Sequence, residues 1–139
     1  MWRLASRPDV TIDVVGAGLA CCSLEVEAAA QRGLLVTAAD TGEQPRATVL
    51  VVAGTVTRAL QPTLLRMHDL HAAVGAVAVV SFGACATSGG PYWDAPSVVS
   101  GLDEVFPDGQ VYSYVPGCPP RPEALVAELE RIIDAMVQR

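Results

Sequence analysis

The stretch AVAVVSFGAC, Ala76 to Cys85, decides the fold. It is almost continuously apolar and closes on a glycine and a cysteine. A strand with one wet face alternates apolar and polar residues, whereas a strand with both faces covered does not. Near-continuous apolar runs of this length therefore read as strands of a parallel sheet. TVLVVAG, Thr48 to Gly54, has the same character. VTIDVVGAG, Val10 to Gly18, and QVYSYVPGC, Gln110 to Cys118, read as two further strands. LLVTAAD, Leu34 to Asp40, is a weaker fifth candidate.

Helical segments fall between these runs. Ser23 to Gly33 starts with a capping residue and ends on glycine. Val56 to Gly75 has leucines at helical spacing, with Pro62 marking its first helical turn. The segment from Arg121 has Pro122 at its start and apolar residues at 125, 126, 129, 132, 133 and 136, an amphipathic stripe. Thr87 to Phe106 is rich in Gly, Pro and Ser and reads as a long loop holding about one turn of helix. Alternating strands and helices give an α/β domain with a mostly parallel sheet, residues 1–139 forming one unit.

Composition narrows the function classes. Of the 139 residues 51% are apolar and 17% charged, which argues for a folded core. The high apolar content fits either burial against partner subunits or an Ala/Val-rich surface. A net charge of −6 and the absence of a basic run disfavour nucleic acid. The longest apolar stretch, Ala72 to Ala86, is broken by glycines and is shorter than the ~20 residues of a membrane span. MWRLASRPDV, Met1 to Val10, leads into no apolar signal core. A cytoplasmic chain is expected, with any membrane contact made through partners.

The four cysteines, Cys21, Cys22, Cys85 and Cys118, carry the chemistry. Cys21 and Cys22 follow the first strand, Cys85 ends the third and Cys118 ends the fourth. Carboxyl ends of parallel strands share one edge, so all four thiols should converge there. In a reducing compartment such a group points to metal or redox chemistry. Four thiolates can hold zinc or an iron–sulfur cluster. Zinc favours local CxxC knuckles, and none is present. A cube offers four separate corners, which adjacent cysteines and two distant ones can reach. Glycines near the thiols (Gly16, Gly18, Gly83, Gly89, Gly90 and Gly117) either let backbone approach a cluster or simply turn the chain at strand ends.

GLACCSLE, VVAGTVT, GACATSGG, SVVSGLDEVFP and YVPGCPPRPEAL occur in that order. Together they resemble the NuoB-like family, the 20 kDa subunit of NADH–quinone oxidoreductase (complex I), related to the small subunits of [NiFe] hydrogenases. The resemblance runs from about Val10 to Leu125. It implies a flavodoxin-like three-layer sandwich and one [4Fe–4S] cluster on Cys21, Cys22, Cys85 and Cys118. It also implies an electron-transfer subunit of an oxidoreductase complex, with no catalysis by the chain alone. The implied partners are a large catalytic-type subunit, a ferredoxin-like subunit and membrane subunits, at the cytoplasmic face of the membrane. Glu25, Gly83, Gly117 and Arg121 would surround the cluster.

Two segments depart from the respiratory pattern. AAAQRGLLVTAADTGEQPRA, Ala28 to Ala47, keeps Pro45 and Arg46 but lacks the aromatic and most of the arginines of the segment that lines the quinone cavity in relatives. RALQP, Arg58 to Pro62, replaces the usual Lys-Met-Ala-Pro. A group 4 membrane-bound [NiFe]-hydrogenase-type small subunit is therefore an alternative, although many of those space the first two cysteines as CxxC. An assembly or structural metal module without redox function is an alternative of another class.

Other residues have competing readings. Glu25 is either a proton-coupled acid beside the cluster or a plain first-turn helix acid. Arg121 either balances an anionic cluster or is an exposed arginine. Tyr92 and Trp93 either shield the cluster, contact a partner or pack within their loop. His68 and His71 read as a surface pair rather than a metal pair. Pro116, Pro119 and Pro120 stiffen the turn that presents Cys118. GAGLA, Gly16 to Ala20, lacks the third glycine of a dinucleotide loop.

Overall fold

The computed structural model describes residues 1–17, 21–38 and 45–138. Six strands form one sheet: β1 (Trp2–Leu4), β2 (Arg7–Ala17), β3 (Leu35–Thr37), β4 (Ala47–Gly54), β5 (Ala76–Phe82) and β6 (Val111–Val115). The helices are α1 (Cys21–Gln31), α2 (Gln61–Ala72), α3 (Ala84–Ser88), α4 (Leu102–Val105) and α5 (Pro122–Val137), with a 3-10 turn at Gly90–Tyr92.

The order across the sheet is β3-β1-β2-β4-β5-β6. β2, β4, β5 and β6 pair in parallel, as their apolar runs require. All eight residues of β4 are buried, so the central strand has no wet face. β1 pairs antiparallel with both β2 and β3. Two reversals leave β3 running parallel to β2. With β1 set aside, the order is that of a flavodoxin-like sheet with one extra strand pushed in beside the first parallel strand.

β1 was not anticipated, because three residues are too short to display a period. The first parallel strand also begins at Arg7, ahead of the expected Val10. The weak fifth strand exists but is confined to Leu35–Thr37. The remainder of the expected segment includes Ala39 and Asp40, which lie outside the described residues.

Two apolar layers flank the sheet. One joins Ile12, Val49, Val51, Val80 and Phe82 to Val26 of α1 and to Leu125, Leu129, Ile132 and Ile133 of α5. The other joins Leu50, Val52 and Val79 to Leu64 of α2 and to Leu102, Val105 and Phe106 around α4. The stripe expected on α5 is the one it buries. Pro122 opens α5 and a proline lies in the first turn of α2, where a missing N–H loses no bond.

The loop after Cys85 is better organised than expected. It carries α3, the 3-10 turn and α4, and it is tied to the segment after β4. Arg58 N–H donates to Ser97 O at 2.8 Å, Val99 N–H donates to Val56 O at 3.0 Å, and Thr57 bridges Val98. Arg58 also reaches Pro96 O and Glu104 with its guanidinium.

His68 and His71 do not form an exposed pair. Both are half-buried, because α2 lies flat on the sheet. His71 Nε2 meets Asp13 Oδ2 of β2 at 2.7 Å. His68 tilts over Phe106, with ring centroids 5.4 Å apart.

Candidate metal centre

Each cysteine lies just beyond the carboxyl end of a parallel strand, as expected. Cys21 and Cys22 follow β2, Cys85 follows β5 and Cys118 follows β6. The doublet does not sit in a turn ahead of the helix. It forms the first two residues of α1, and Ser23, expected as the cap, lies inside the helix. Successive helical residues diverge by about 100°. The two thiols therefore leave the chain in different directions: Cys21 is exposed and Cys22 is buried in the layer beneath α1. Cys85 is buried and Cys118 is exposed.

Gly83 is the hub of the arrangement. Its φ is +95°, in the region that side chains disfavour. A Cβ there would stand 2.4 Å from Cys22 Sγ, 3.5 Å from Pro120 Cδ and 3.6 Å from Gly117 O. The segments that carry Cys22, Cys85 and Cys118 thus meet at one residue. Two hydrogen bonds lock the last two together: Gly83 N–H donates to Val115 O and Ala84 N–H to Gly117 O, both at 2.8 Å. Gly117 is packed as closely, since a Cβ on it would fall 2.7 Å from Pro120 Cα. The peptide between Cys118 and Pro119 is cis.

The thiols sense one another electrostatically. Burial, first of all, pushes the Cys22 thiol up to about 12, helped by the charge of Cys21, a hydrogen bond to it, and the charges of Cys85 and Cys118. Four thiolates at this edge would repel one another, and a cationic group among them would offset that repulsion. Among the described residues no group of three or more His, Cys, Asp and Glu side chains converges as a site for a metal ion. A polynuclear cluster binds each thiolate at its own iron and so spans thiols that stand farther apart than the ligands of one ion. The donor set and the side-chain-free cradle at Gly83 fit such a group.

The remaining expected site residues divide. Gly83 and Gly117 are at the centre. Glu25 is half-buried on α1, three residues beyond Cys22. Arg121 is exposed at the start of α5, one residue after the Pro119–Pro120 pair. Tyr92 and Trp93 are exposed, so packing within their loop does not bury them. Gly18 lies outside the described residues.

Two residues at the site escaped the sequence reading. Ser81 is fully buried at the end of β5, and its hydroxyl meets Thr87 Oγ1 at 2.8 Å. Thr87 Oγ1 donates in turn to Gly83 O at 2.8 Å. The available signal was a lone hydroxyl within the apolar run AVAVVSF. A buried hydroxyl needs a partner, and a partner had to lie near the strand's end.

An α/β sheet whose carboxyl edge carries four thiols, just beyond the ends of three parallel strands, defines the class. The family model for the NADH ubiquinone oxidoreductase 20 Kd subunit matches residues 20–132, and the chain belongs to that family. It is 42% identical to a B subunit of NADH-quinone oxidoreductase from Salinispora tropica, over 83% of this chain and 61% of that relative. It is also 42% identical to the B subunit of NADH-quinone oxidoreductase from Carboxydothermus hydrogenoformans, over 84% of this chain and 71% of the relative. The chain spans less than two thirds of the length of several curated relatives, 46% for one from Streptomyces griseus. Among solved structures, a chain of the membrane-bound sulfane sulfur reductase, an archaeal respiratory membrane complex, superposes with a TM-score of 0.64 at 22% identity. That match covers 94% of this chain and 72% of the other, and it shows the shared fold. Among the described residues no helix is long and apolar enough to cross a membrane.

Proposed function

We propose that residues 1–139 form one domain that serves as the electron-relay subunit of a complex I-like respiratory assembly. It holds one [4Fe–4S] cluster through Cys21, Cys22, Cys85 and Cys118. The observation that carries this reading is the meeting of three cysteine-bearing segments at Gly83, with Cys22 feeling the other three thiols. When bound, the cluster supplies one-electron transfer. The chain's own part is to hold it, exclude water on the Cys22 and Cys85 side, and leave the Cys21 and Cys118 side open to a partner.

Relatives named as B subunits of NADH-quinone oxidoreductase support a setting within a multi-subunit complex; the partners we assign there are a large catalytic-type subunit, a ferredoxin-like subunit and membrane subunits. The chain then sits peripherally at the cytoplasmic face. A second setting, a [NiFe]-hydrogenase-type complex, is favoured by one feature: the Ala28–Ala47 segment lacks the aromatic and most of the arginines of the quinone-lining pattern.

Anaerobic reconstitution with iron and sulfide tests the reading. One cluster per chain, a broad visible absorption band and an EPR signal on reduction are expected. Cys85→Ser should lose the signal. Zinc at one per chain, with no iron taken up, would defeat the proposal.

A further inference from the structure

We infer that Thr87 is a positioning residue which, with Ser81, locks the Gly83–Ala84 peptide and so sets the electrostatic environment of the cluster thiolates. The inference rests on the cluster reading above. Thr87 Oγ1 donates its one proton to Gly83 O. The Ser81–Thr87 bond must then run from Ser81 to Thr87, since each hydroxyl has a single proton to give. The result is a directed chain from fully buried Ser81 through Thr87 to the Gly83 carbonyl. The backbone N–H of Thr87 adds a second bond to the same oxygen at 3.2 Å.

The other end of this peptide is pinned as well, because Ala84 N–H donates to Gly117 O in the Cys118 turn. Both ends need holding. Glycine at 83 has no Cβ to resist rotation, and its Cα lies against Cys22 Sγ, where a Cβ would be 2.4 Å away. A peptide rotated out of this pose would release the Cys118 turn and free a carbonyl dipole beside the Cys22 sulfur. A carbonyl oxygen facing the thiolates opposes an added electron, so loss of the lock should lower the midpoint potential.

Thr87→Val keeps the shape and removes the hydroxyl, whereas Thr87→Ser keeps the hydroxyl. Two readouts are needed. In the metal-free chain, exchange of the Ala84 amide should be about tenfold faster in Thr87→Val and near wild type in Thr87→Ser. In the iron-loaded chain, Thr87→Val should shift the EPR line and lower the potential, and Thr87→Ser should restore both. If Thr87→Val does not fold, Ser81→Ala removes only the buried donor and should shift the potential in the same direction. A Thr87→Val or Ser81→Ala protein that melts earlier but keeps the wild-type line and potential overturns the inference alone. A wild-type chain that takes up no iron overturns the cluster reading and this inference with it.

Discussion

At the scale of single residues, Gly83 carries the sharpest consequence. Its φ of +95° and the 2.4 Å separation between a Cβ and Cys22 Sγ act together, so Gly83→Ala meets both strain and a clash. It should destabilise the metal-free chain by about 1–3 kcal/mol, read by thermal unfolding, and reduce iron uptake. The thiols should also differ in reactivity. The thiolate is the nucleophile, and Cys22 is both buried and pushed up to about 12. Alkylation of the metal-free chain at neutral pH, followed by peptide mass analysis, should modify exposed Cys21 and Cys118 before Cys22. The four thiols were legible in the sequence because strand ends could be read around them. The Ser81–Thr87 chain was not, because a hydroxyl at Cys85 plus two has no meaning until α3 folds back over β5.

At the scale of elements, the helices contribute unequally. α5 buries Leu125, Leu129, Ile132 and Ile133, while α2 fully buries only Leu64. Leu129→Ala should therefore cost about 2–5 kcal/mol, measured by denaturant unfolding. Leu70→Ala, on the exposed side of α2, should stay within about 0.5 kcal/mol of wild type. The elements with strong patterns were legible: the continuously apolar parallel strands and the α5 stripe match in type and in place, with strand ends shifted by up to three residues. Elements defined by tertiary pairing were not. β1 is held by its two neighbours and by burial of Leu4 rather than by any pattern of its own. α1 starts two residues earlier than its sequence suggested. The expected cap, Ser23, instead packs so close to Gly16 that a Cβ there would be 2.9 Å from Ser23 Oγ.

At the scale of the whole molecule, distant segments are joined by polar staples as well as by the core. Glu104 accepts the Ser100 N–H, then the Ser100 hydroxyl, then the Arg58 guanidinium, and these hold its carboxyl down to about 2 from an ordinary 4.5. A carboxylate lowered on folding stabilises the fold above its unfolded value. That contribution should be full above about pH 4.5 and should fade as pH falls through about 2. In acid titrations followed by circular dichroism, the advantage of wild type over Glu104→Gln should shrink across that window. Salt should weaken the Arg58 part, since the pair is exposed. None of this was legible beforehand, because Arg58 and Glu104 are linked only through the path of the loop between them.

The parallel sheet also imposes an order in time. Thiols at the carboxyl ends of β2, β5 and β6 are brought together only by crossovers, so the first and last lie at positions 21 and 118. A chain emerging from a ribosome presents Cys21 and Cys22 long before Cys118, and the strands that align them close later still. A group gripped by all four thiols can then be held only once Cys118 has been made and its strand has closed. Until that moment the nascent chain carries its vicinal thiols without their distant companions, open to oxidants and stray metals.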